Sequence, residues 1–259
     1  MIDDITPLIL TFNEAPNIGR ALEKLAWAKR IVVVDSFSTD ETEAICRRFP
    51  QVEFVRRKFE SFADQCNFGL TLVRTPWALS MDSDYILSDE LVAGLPALKP
   101  DAGCDGFAAR FVYCVGGQPL RSTLYPPRTV LYRREKAHYR NEGHGHRVAV
   151  AGNVGQMKGC IFHDDRKPLE RWFGEQLKYS AKEARYLLDT PREKLNRADR
   201  LRRKIIFAPF TVLFYTLVLR GLILDGWPGW FYSFQRLLAE LLLSLRLIEA
   251  RFTTTSGKN

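Results

Sequence analysis

Residues 77–85 of this 259-residue chain are Trp-Ala-Leu-Ser-Met-Asp-Ser-Asp-Tyr. The first five are mostly apolar and strand-sized, and Asp82 and Asp84 follow where this predicted strand ends. Two carboxylates two residues apart supply hard oxygen ligands, which suit Mg²⁺ or Mn²⁺ bound together with substrate phosphates. Such pairs also occur in solvated turns, so the interpretation of this motif as a metal site depends on the sequence around it.

Short apolar runs alternate with helical patterns in the residues before this motif. Strand-sized aliphatic runs cover residues 5–10, 31–34, 52–55 and 77–81, and helical spacing covers residues 16–26, 40–48 and 61–73. Alternation of strands and helices at this rhythm predicts an α/β fold, a mostly parallel sheet with helices on its faces. In such a sheet, ligands bind at the carboxyl ends of the strands.

The first two predicted strands also end in polar residues. Leu10-Thr-Phe-Asn-Glu14 ends the first, and Asp35-Ser-Phe-Ser-Thr-Asp40 follows the second. We expect these segments to share one crevice with Asp82 and Asp84, where Asp35 is placed to accept hydrogen bonds from a base or a ribose. Helix N-capping explains part of the run 38–40.

The second half of the chain has a different composition. Residues 103–162 are rich in Gly, Pro, Tyr and Arg, with strand candidates at 107–113 and 129–133, and this region is expected to build a substrate pocket. Residues 168–189 carry apolar residues at helical spacing, which predicts an amphipathic helix.

The carboxyl-terminal part begins with a basic stem. Residues 191–204 hold seven basic residues and two acids, and the uncharged run 205–219 that follows has 15 residues, interrupted by Pro209. A perpendicular span needs about 20 apolar residues. With the aromatic turn 225–230 and a helix predicted at 236–248, the pattern favours a segment lying in a membrane interface. Helices packed in a core or an oligomer, and a true span, are the alternatives.

We therefore divide the chain into a catalytic domain, residues 1–190, and a membrane-associating stem and helical hairpin, residues 191–259. The excess of 38 Lys and Arg over 30 Asp and Glu favours an anionic partner. No nucleic-acid recognition motif accompanies it, so no nucleic-acid partner is expected. Five cysteines without a C-x-x-C motif, and no export signal at the amino terminus, predict a reducing, cytoplasmic location.

Several segments together resemble one enzyme family. TFNEAPNI, VVVDSFSTDET, QCNFGL and MDSDY resemble the GT-A glycosyltransferases of family 2. With LYPPRTVLYRR and IFHDDRK, the set is similar to the lipopolysaccharide-core β-1,4-glucosyltransferases that act on inner-core heptose. The resemblance implies a GT-A, Rossmann-like fold and a metal-dependent, inverting transfer of glucose from UDP-glucose. The acceptor would be a lipid-anchored anionic glycan at the inner face of a bacterial inner membrane.

The resemblance also implies roles for individual residues. The nucleotide-sugar contacts would be Thr11, Asn13, Glu14, Asp35, Gln65, Asn67 and Asp82. Asp84 and His163 would hold the metal, Mg²⁺ or Mn²⁺. Many relatives have a second acid where this chain has Ser36, and an arginine near the position of Gln65.

An inverting transfer needs a base that takes the acceptor proton. Relatives often place a carboxylate in the loop before the late strand, which is 139–147 here, and Glu142 is our predicted base. His144, His146, Asp164 and Asp165 remain alternatives. Basic groups are expected to contact the acceptor or the phosphates, and the candidates are His144, His146, Arg121, Arg128, Arg133, Arg134, Arg147, Arg166 and Lys167.

Two rival functions remain open at this point. One is a family member with another nucleotide-sugar, for capsule or glycolipid synthesis. The other is a basic, membrane-associated binding module without catalysis.

Overall fold

The computed structural model describes residues 1–98, 103–142 and 145–256, with no account of the side chains of 142, 145, 146 and 253–256. The chain divides into two compact units. The first is Met1–Pro119 with Thr123–Arg166, and the second is Leu120–Ser122 with Lys167–Asn259. The boundary that the sequence predicts at residue 190 separates catalysis from membrane association, and it stays a prediction.

The first unit is built on one large sheet flanked by helices. Its strands are β1 (Ile5–Thr11), β2 (Ile31–Asp35), β3 (Val52–Arg56), β4 (Trp77–Asp82), β5 (Tyr85–Leu87), β6 (Cys104–Val115), β7 (Gln118–Pro119), β8 (Arg128–Arg133), β9 (Ala137–Glu142), β10 (Gly145–Val150) and β11 (Asn153–His163). Its helices are α1 (Ile18–Lys24), α2 (Thr42–Cys46), α3 (Phe62–Leu72) and α4 (Asp89–Gly94). The strand order in the sheet is β3-β2-β1-β4-β8-β6-β11-β5, with β7 beside β6.

The parallel half of the sheet follows the sequence prediction. Strands β3, β2, β1 and β4 pair in parallel. Their residues alternate between two buried clusters, as Ile9 and Leu8 illustrate. Helix packing on both faces explains why these strands are continuous aliphatic runs. Helix α3 approaches very closely, because a Cβ on Gly69 would lie 2.5 Å from the Leu8 side chain.

The other half of the sheet is mixed, and the chain after β4 departs from the prediction in two places. Segment 139–147, expected to be a loop, lies mostly in β9 and β10, which pair antiparallel as a separate two-stranded sheet. Strand β11 is long despite its glycines and polar residues, and its register against β6 shifts between Gln156 and Cys160. Gly159 lies in this bulge with φ +78°, where a Cβ would come within 2.6 Å of the Leu91 nitrogen. Glycine therefore bends the strand instead of ending it.

The second unit is helical. Helices α5 (Leu169–Asp189), α6 (Arg197–Arg202), α7 (Phe207–Phe214) and α8 (Trp227–Ser256) follow in order, and a short π-helix, Tyr215–Leu219, extends α7. The predicted helix at 168–189 is confirmed. No helix within the described residues has the length and apolar character needed to cross a bilayer.

Helix α8 is longer than the sequence indicated. It has 30 residues and begins at Trp227, inside the segment predicted to be a turn. Proline is tolerated in the first turn of a helix, since its missing N–H needs no partner there, so Pro228 does not stop it. Glu240 is buried and binds Arg202 of α6, with Nη2 at 2.9 Å from Oε1. Glu240 of α8 thus faces α6.

Candidate active site

The polar ends of three parallel strands lie side by side. In the sheet register Thr11 of β1 is opposite Asp35 of β2, and Leu10 of β1 is opposite Asp82 of β4. The buried Ser83 hydroxyl donates to the Leu10 carbonyl at 2.9 Å, which holds the turn after β4 against β1. The expected crevice at the carboxyl ends of these strands therefore gathers Thr11, Asp35 and Asp82.

Asp35 is fully buried and hydrogen-bonded on both oxygens. Its Oδ1 accepts from the Thr11 hydroxyl at 2.8 Å and from the Ser38 hydroxyl, and its Oδ2 accepts from the Ser38 N–H at 2.7 Å. The Ser38 hydroxyl in turn accepts from the Asn13 N–H at 2.8 Å. Asp35 thus fastens the loops after β1 and β2 to one another.

The loop after β1 is held in an unusual backbone conformation. Asn13 has φ +54°, in the left-handed region that asparagine tolerates better than most residues. Its side-chain oxygen accepts from the Thr39 N–H at 2.8 Å. Glu14 follows, and its Oε2 accepts from the Asn17 amide at 3.0 Å. Asn13 and Glu14, both predicted to contact the nucleotide, therefore lie at the crevice on a loop that side-chain hydrogen bonds hold in place.

Asp84 and His163 meet through the pairing of β5 with β11. Tyr85, which follows Asp84, is opposite His163 in this antiparallel ladder. The His163 Nε2 lies 3.2 Å from the Asp84 Oδ2. Burial alone would lower the pKa of His163, but the Asp84 carboxylate, with smaller contributions from Asp82 and Asp165, raises it overall. The two residues predicted to hold the metal are thus in direct contact.

Three tyrosine rings surround the His163 imidazole. The ring centroids of Tyr113, Tyr125 and Tyr85 lie 4.9, 5.2 and 5.3 Å from that of His163. The Tyr85 and Tyr125 hydroxyls are 2.7 Å apart. Burial, followed by the Asp82 charge, raises the pKa of Tyr125 to about 12. The Arg128 guanidinium stacks on Tyr125 at 4.2 Å from its centroid, so this arginine lies against one of the rings that surround His163.

The segment after His163 is tied to helix α1. Asp164 accepts from Arg20 Nη1 at 2.6 Å and from Arg166 Nε at 2.9 Å. Burial would raise the pKa of Asp164, but hydrogen bonding and attraction from these two guanidinium groups lower it overall. Asn17 is fully buried and joins the same network, because its amide donates to Asp165 at 2.9 Å and its oxygen accepts from the Arg166 N–H at 2.9 Å.

Gln65 and Asn67 on α3 are engaged with neighbouring protein groups. The buried Gln65 oxygen accepts from Arg57 Nη1 at 3.0 Å, and its amide donates to the Ser36 hydroxyl at 3.1 Å. Asn67 binds the main chain of Tyr139 twice, donating to its carbonyl at 3.0 Å and accepting from its N–H at 2.9 Å. Asn67 therefore holds strand β9 against α3.

Most of the other predicted residues fall into three groups. Glu142 ends β9 and His146 lies in β10, but their side chains are not described, and His144 lies outside the described residues. The Arg133 guanidinium stacks on Trp77, and the Arg134 backbone N–H donates to the Pro76 carbonyl. They therefore lie at the amino end of β4, about 17 Å along the strand from Asp82. Arg121 belongs to the second unit, where it pairs with Asp225 at 2.6 Å.

Sequence reasoning missed the tyrosines around His163 and the role of Asn17. Tyr85 directly follows the two-aspartate motif, which is a local signal for its place at the site. Tyr113 and Tyr125 come from other parts of the chain and are brought there by the sheet. Asn17 lies in a segment that the pattern assigned to a helix, and a lone asparagine there gives no sign of its four hydrogen bonds.

Comparison with known proteins agrees with this architecture. The family model for glycosyl transferase family 2 matches residues 8–162, which include most of β1, all of β2 to β10 and nearly all of β11. The chain is thus a glycosyltransferase and belongs to family 2. Its fold is that of the GT-A enzymes, an α/β unit with a mixed sheet, here followed by a helical region.

Two sequence relatives and one solved structure illustrate the similarity. The lipopolysaccharide core biosynthesis glycosyltransferase LpsC of Rhizobium meliloti is 28% identical over 189 residues, 70% of this chain and 70% of that protein. An uncharacterized glycosyltransferase of Rickettsia felis is 23% identical over 273 residues, covering 100% of this chain and 93% of that protein. The mannosyltransferase PcManGT of Pyrobaculum calidifontis, solved with GDP-Man and Mn²⁺, has a TM-score of 0.51 and 13% identity over 99% of this chain and 88% of its own.

Proposed function

We propose that this protein transfers glucose from UDP-glucose to a heptose of the lipopolysaccharide inner core, with inversion, at the cytoplasmic face of a bacterial inner membrane. The resemblance to core β-1,4-glucosyltransferases and the similarity to LpsC support the acceptor. The observation that carries the proposal is the contact of Asp84 with His163, 3.2 Å between Oδ2 and Nε2, beside the strand ends that bear Asp82 and Asp35.

The geometry of this pair fits a divalent cation. In octahedral coordination with ligands at about 2.1 Å, neighbouring ligand atoms lie roughly 3.0 Å apart, close to the separation of these two atoms. The buried His163 Nδ1 has no hydrogen-bond partner among the described residues. No contact at Nδ1 therefore holds the imidazole in a tautomer in which Nε2 is protonated and closed to a metal. The described residues hold no cluster of three or more His, Cys, Asp or Glu side chains suited to a metal. Diphosphate oxygens and water would complete the coordination, as is usual for Mg²⁺ and Mn²⁺.

In this proposal the protein groups bind and orient both substrates. Asp84 and His163 hold the cation, which when bound neutralises the charge that grows on the departing diphosphate. Arg128, stacked on Tyr125, and Arg166 add positive charge for the diphosphate or an anionic acceptor. The nucleotide-sugar contacts are proposed to be Thr11, Asn13, Glu14, Asp35, Gln65 and Asp82. We assign Asn67 to holding β9, since its amide is bonded to the Tyr139 main chain.

Glu142 remains the proposed base. It ends β9, which Asn67 fastens to helix α3 through the Tyr139 main chain. Asp164 is a poorer candidate, because its two arginine partners lower its pKa and weaken it as a proton acceptor. Asp165 accepts a hydrogen bond from the buried Asn17, which orients it toward α1.

The proposal is tested by measuring nucleotide release from a panel of sugar nucleotides, with truncated lipopolysaccharide cores as acceptors. We expect UDP-glucose with a heptose-terminated core to give the highest kcat/KM. A higher kcat/KM with another donor or glycan would replace the substrates and leave the family unchanged. Absence of transfer with every pair, together with no binding of UDP in the presence of Mn²⁺, would favour the non-catalytic binding module.

A further inference from the structure

The second unit presents a row of large apolar side chains to solvent. These side chains, which we call the apolar ridge, are Phe207, Phe210, Phe214, Val218, Leu224 and Trp227. Their exposed fractions run from 53% for Val218 to 85% for Trp227. Soluble monomers rarely expose contiguous apolar patches of this kind, and such patches mark contact surfaces for proteins or membranes.

The exposure of the ridge does not come from poor packing of its helix. Phe207, Phe210, Phe214 and Val218 follow at intervals of three and four residues, so they line one face of α7 and its π-helical extension. Between them Ala208, Pro209, Thr216 and Leu217 are buried. Helix α7 therefore has a packed face and a second apolar face that no described part of the second unit covers.

The charges around the ridge are suited to an anionic surface. Between Ile205 and Ala239 the sequence holds one acid, Asp225, and its side chain is 11% exposed and ion-paired with Arg121. In the preceding stem five basic side chains are exposed, Arg192, Lys194, Arg197, Arg200 and Lys204. Arg202 and Arg203 turn inward instead, to Glu240 and to the carbonyls at the end of α5.

We infer that the apolar ridge enters the headgroup region of an anionic phospholipid bilayer, with α7 parallel to the surface and the exposed bases of the stem on the lipid phosphates. This deepens the membrane location in the proposed function and rests on it for the identity of the membrane. Aromatic side chains favour this depth, and each base near an anionic surface strengthens attachment. A second copy of the chain fits less well, because its stem would bring five exposed bases and one exposed acid, Glu193, to the ridge.

The test is co-flotation of the full-length protein with phosphatidylcholine vesicles containing 30% phosphatidylglycerol. The ridge variant carries Phe210→Glu and Phe214→Glu, and the matched control carries Leu177→Glu and Leu188→Glu, which are similarly exposed on α5. We expect at least a tenfold fall in the partition coefficient for the ridge variant and less than a twofold fall for the control. Equal losses in both variants, or none in the ridge variant, would overturn the assignment.

Two further measurements address depth and charge. Brominated lipids should quench part of the tryptophan fluorescence of the wild type, and Trp227→Phe should remove that part. A triple variant of the stem should weaken binding to anionic vesicles and leave binding to neutral vesicles unchanged. It carries Lys194→Gln, Arg197→Gln and Lys204→Gln. Absence of quenching at Trp227 would contradict the proposed orientation. Equal affinity of the wild type for anionic and neutral vesicles would contradict the role of the stem.

The outcome is separable from that of the proposed function. Vesicle binding is measured without donor or acceptor, and UDP binding in the presence of Mn²⁺ should be the same in the ridge variant and the wild type. Loss of UDP binding with intact vesicle binding would contradict only the enzymatic proposal. A wild type that sediments as a dimer and a ridge variant that sediments as a monomer would assign the ridge to self-association and overturn the bilayer proposal.

Discussion

Asp35 ends β2 and Asp84 follows β4, both at the carboxyl ends of buried parallel strands, but their surroundings differ. The oxygens of Asp35 accept three hydrogen bonds from Thr11 and Ser38, and its side chain is fully buried. Asp84 lies against an imidazole whose second nitrogen has no hydrogen-bond partner among the described residues. The difference shows that Asp35 holds the loops of the crevice, and it supports our proposal that Asp84 binds the cation.

The largest effect is expected for Asp84→Asn. This change keeps the shape of the side chain and removes the charge that we assign to the cation, so kcat should fall by about three orders of magnitude, roughly 4 kcal/mol of transition-state stabilisation. The midpoint of thermal unfolding should change little. Nucleotide-release assays and calorimetry measure the two quantities. Asp89→Asn, a highly exposed aspartate, is the control and should keep wild-type kcat. An active Asp84→Asn enzyme would remove the basis of the proposed mechanism.

For Asp35→Asn the larger loss should be in stability. Three donors point at this carboxylate, and an amide N–H in place of one oxygen leaves at least one of them opposite another donor. We expect the free energy of unfolding to fall by about 3 kcal/mol, measured by urea denaturation. Asp4→Asn, at an exposed position, should change it by less than about 0.5 kcal/mol. Unchanged stability with a large rise in donor KM would show that Asp35 acts mainly on the nucleotide.

Binding of Mn²⁺ and UDP should be coupled. Because Asp84 and His163 supply only two of the ligands in our proposal, the free enzyme should bind Mn²⁺ weakly, and saturating UDP should lower its Kd by about thirtyfold, or roughly 2 kcal/mol. Linkage requires Mn²⁺ to tighten UDP by the same factor. Calorimetric titrations in both orders check the effect, with His138→Gln as a control. Equal Mn²⁺ affinity with and without UDP would locate the ion elsewhere.

The smallest effect is expected for Asn67→Ala. Loss of both hydrogen bonds to the Tyr139 main chain should destabilise the protein by about 1–2 kcal/mol in urea denaturation. Donor KM should change less than threefold, since this amide is occupied with β9. Thr71→Ala, an exposed position on the same helix, is the comparison. A tenfold rise in donor KM at full stability would instead support the direct nucleotide contact that the family resemblance implies.

The parallel half of the sheet was predictable because its signals are local. Each of β1, β2 and β4 is an aliphatic run that ends in polar residues, and burial on both faces accounts for that composition. Strands β9, β10 and β11 were not predicted. Glycines and polar residues interrupt them, and they form because of partners far along the chain. The start of α8 was misplaced for another reason, since the Trp-Pro-Gly-Trp run also fits the first turn of a helix.

The features of the candidate site can likewise be divided into those that the sequence indicated and those that it did not. The family resemblance already assigned Asp84 and His163 to one metal, and the structure supplies the contact between them. The positions of Tyr113 and Tyr125 beside His163 could not be inferred, because these residues come from β6 and from the loop before β8 and meet His163 only in the folded unit, whereas Tyr85 directly follows the two-aspartate motif. The burial of Asp35 and the use of the Asn67 amide on Tyr139 are also products of packing. The sequence thus located the crevice. It did not show which of the polar side chains there already form hydrogen bonds within the protein.

The bulge in β11 lies just before the residue of this strand that contacts Asp84, and it can absorb changes in chain length. Only three residues, Ile161 to His163, pair with β5, and a slip of one residue within them would turn the imidazole to the opposite face of the sheet. The irregularity between Gln156 and Cys160 lies just upstream, so a residue gained or lost before it can be absorbed as a change in the bulge. Indels in homologous chains should therefore be tolerated before Cys160 and absent from the last three residues of the strand.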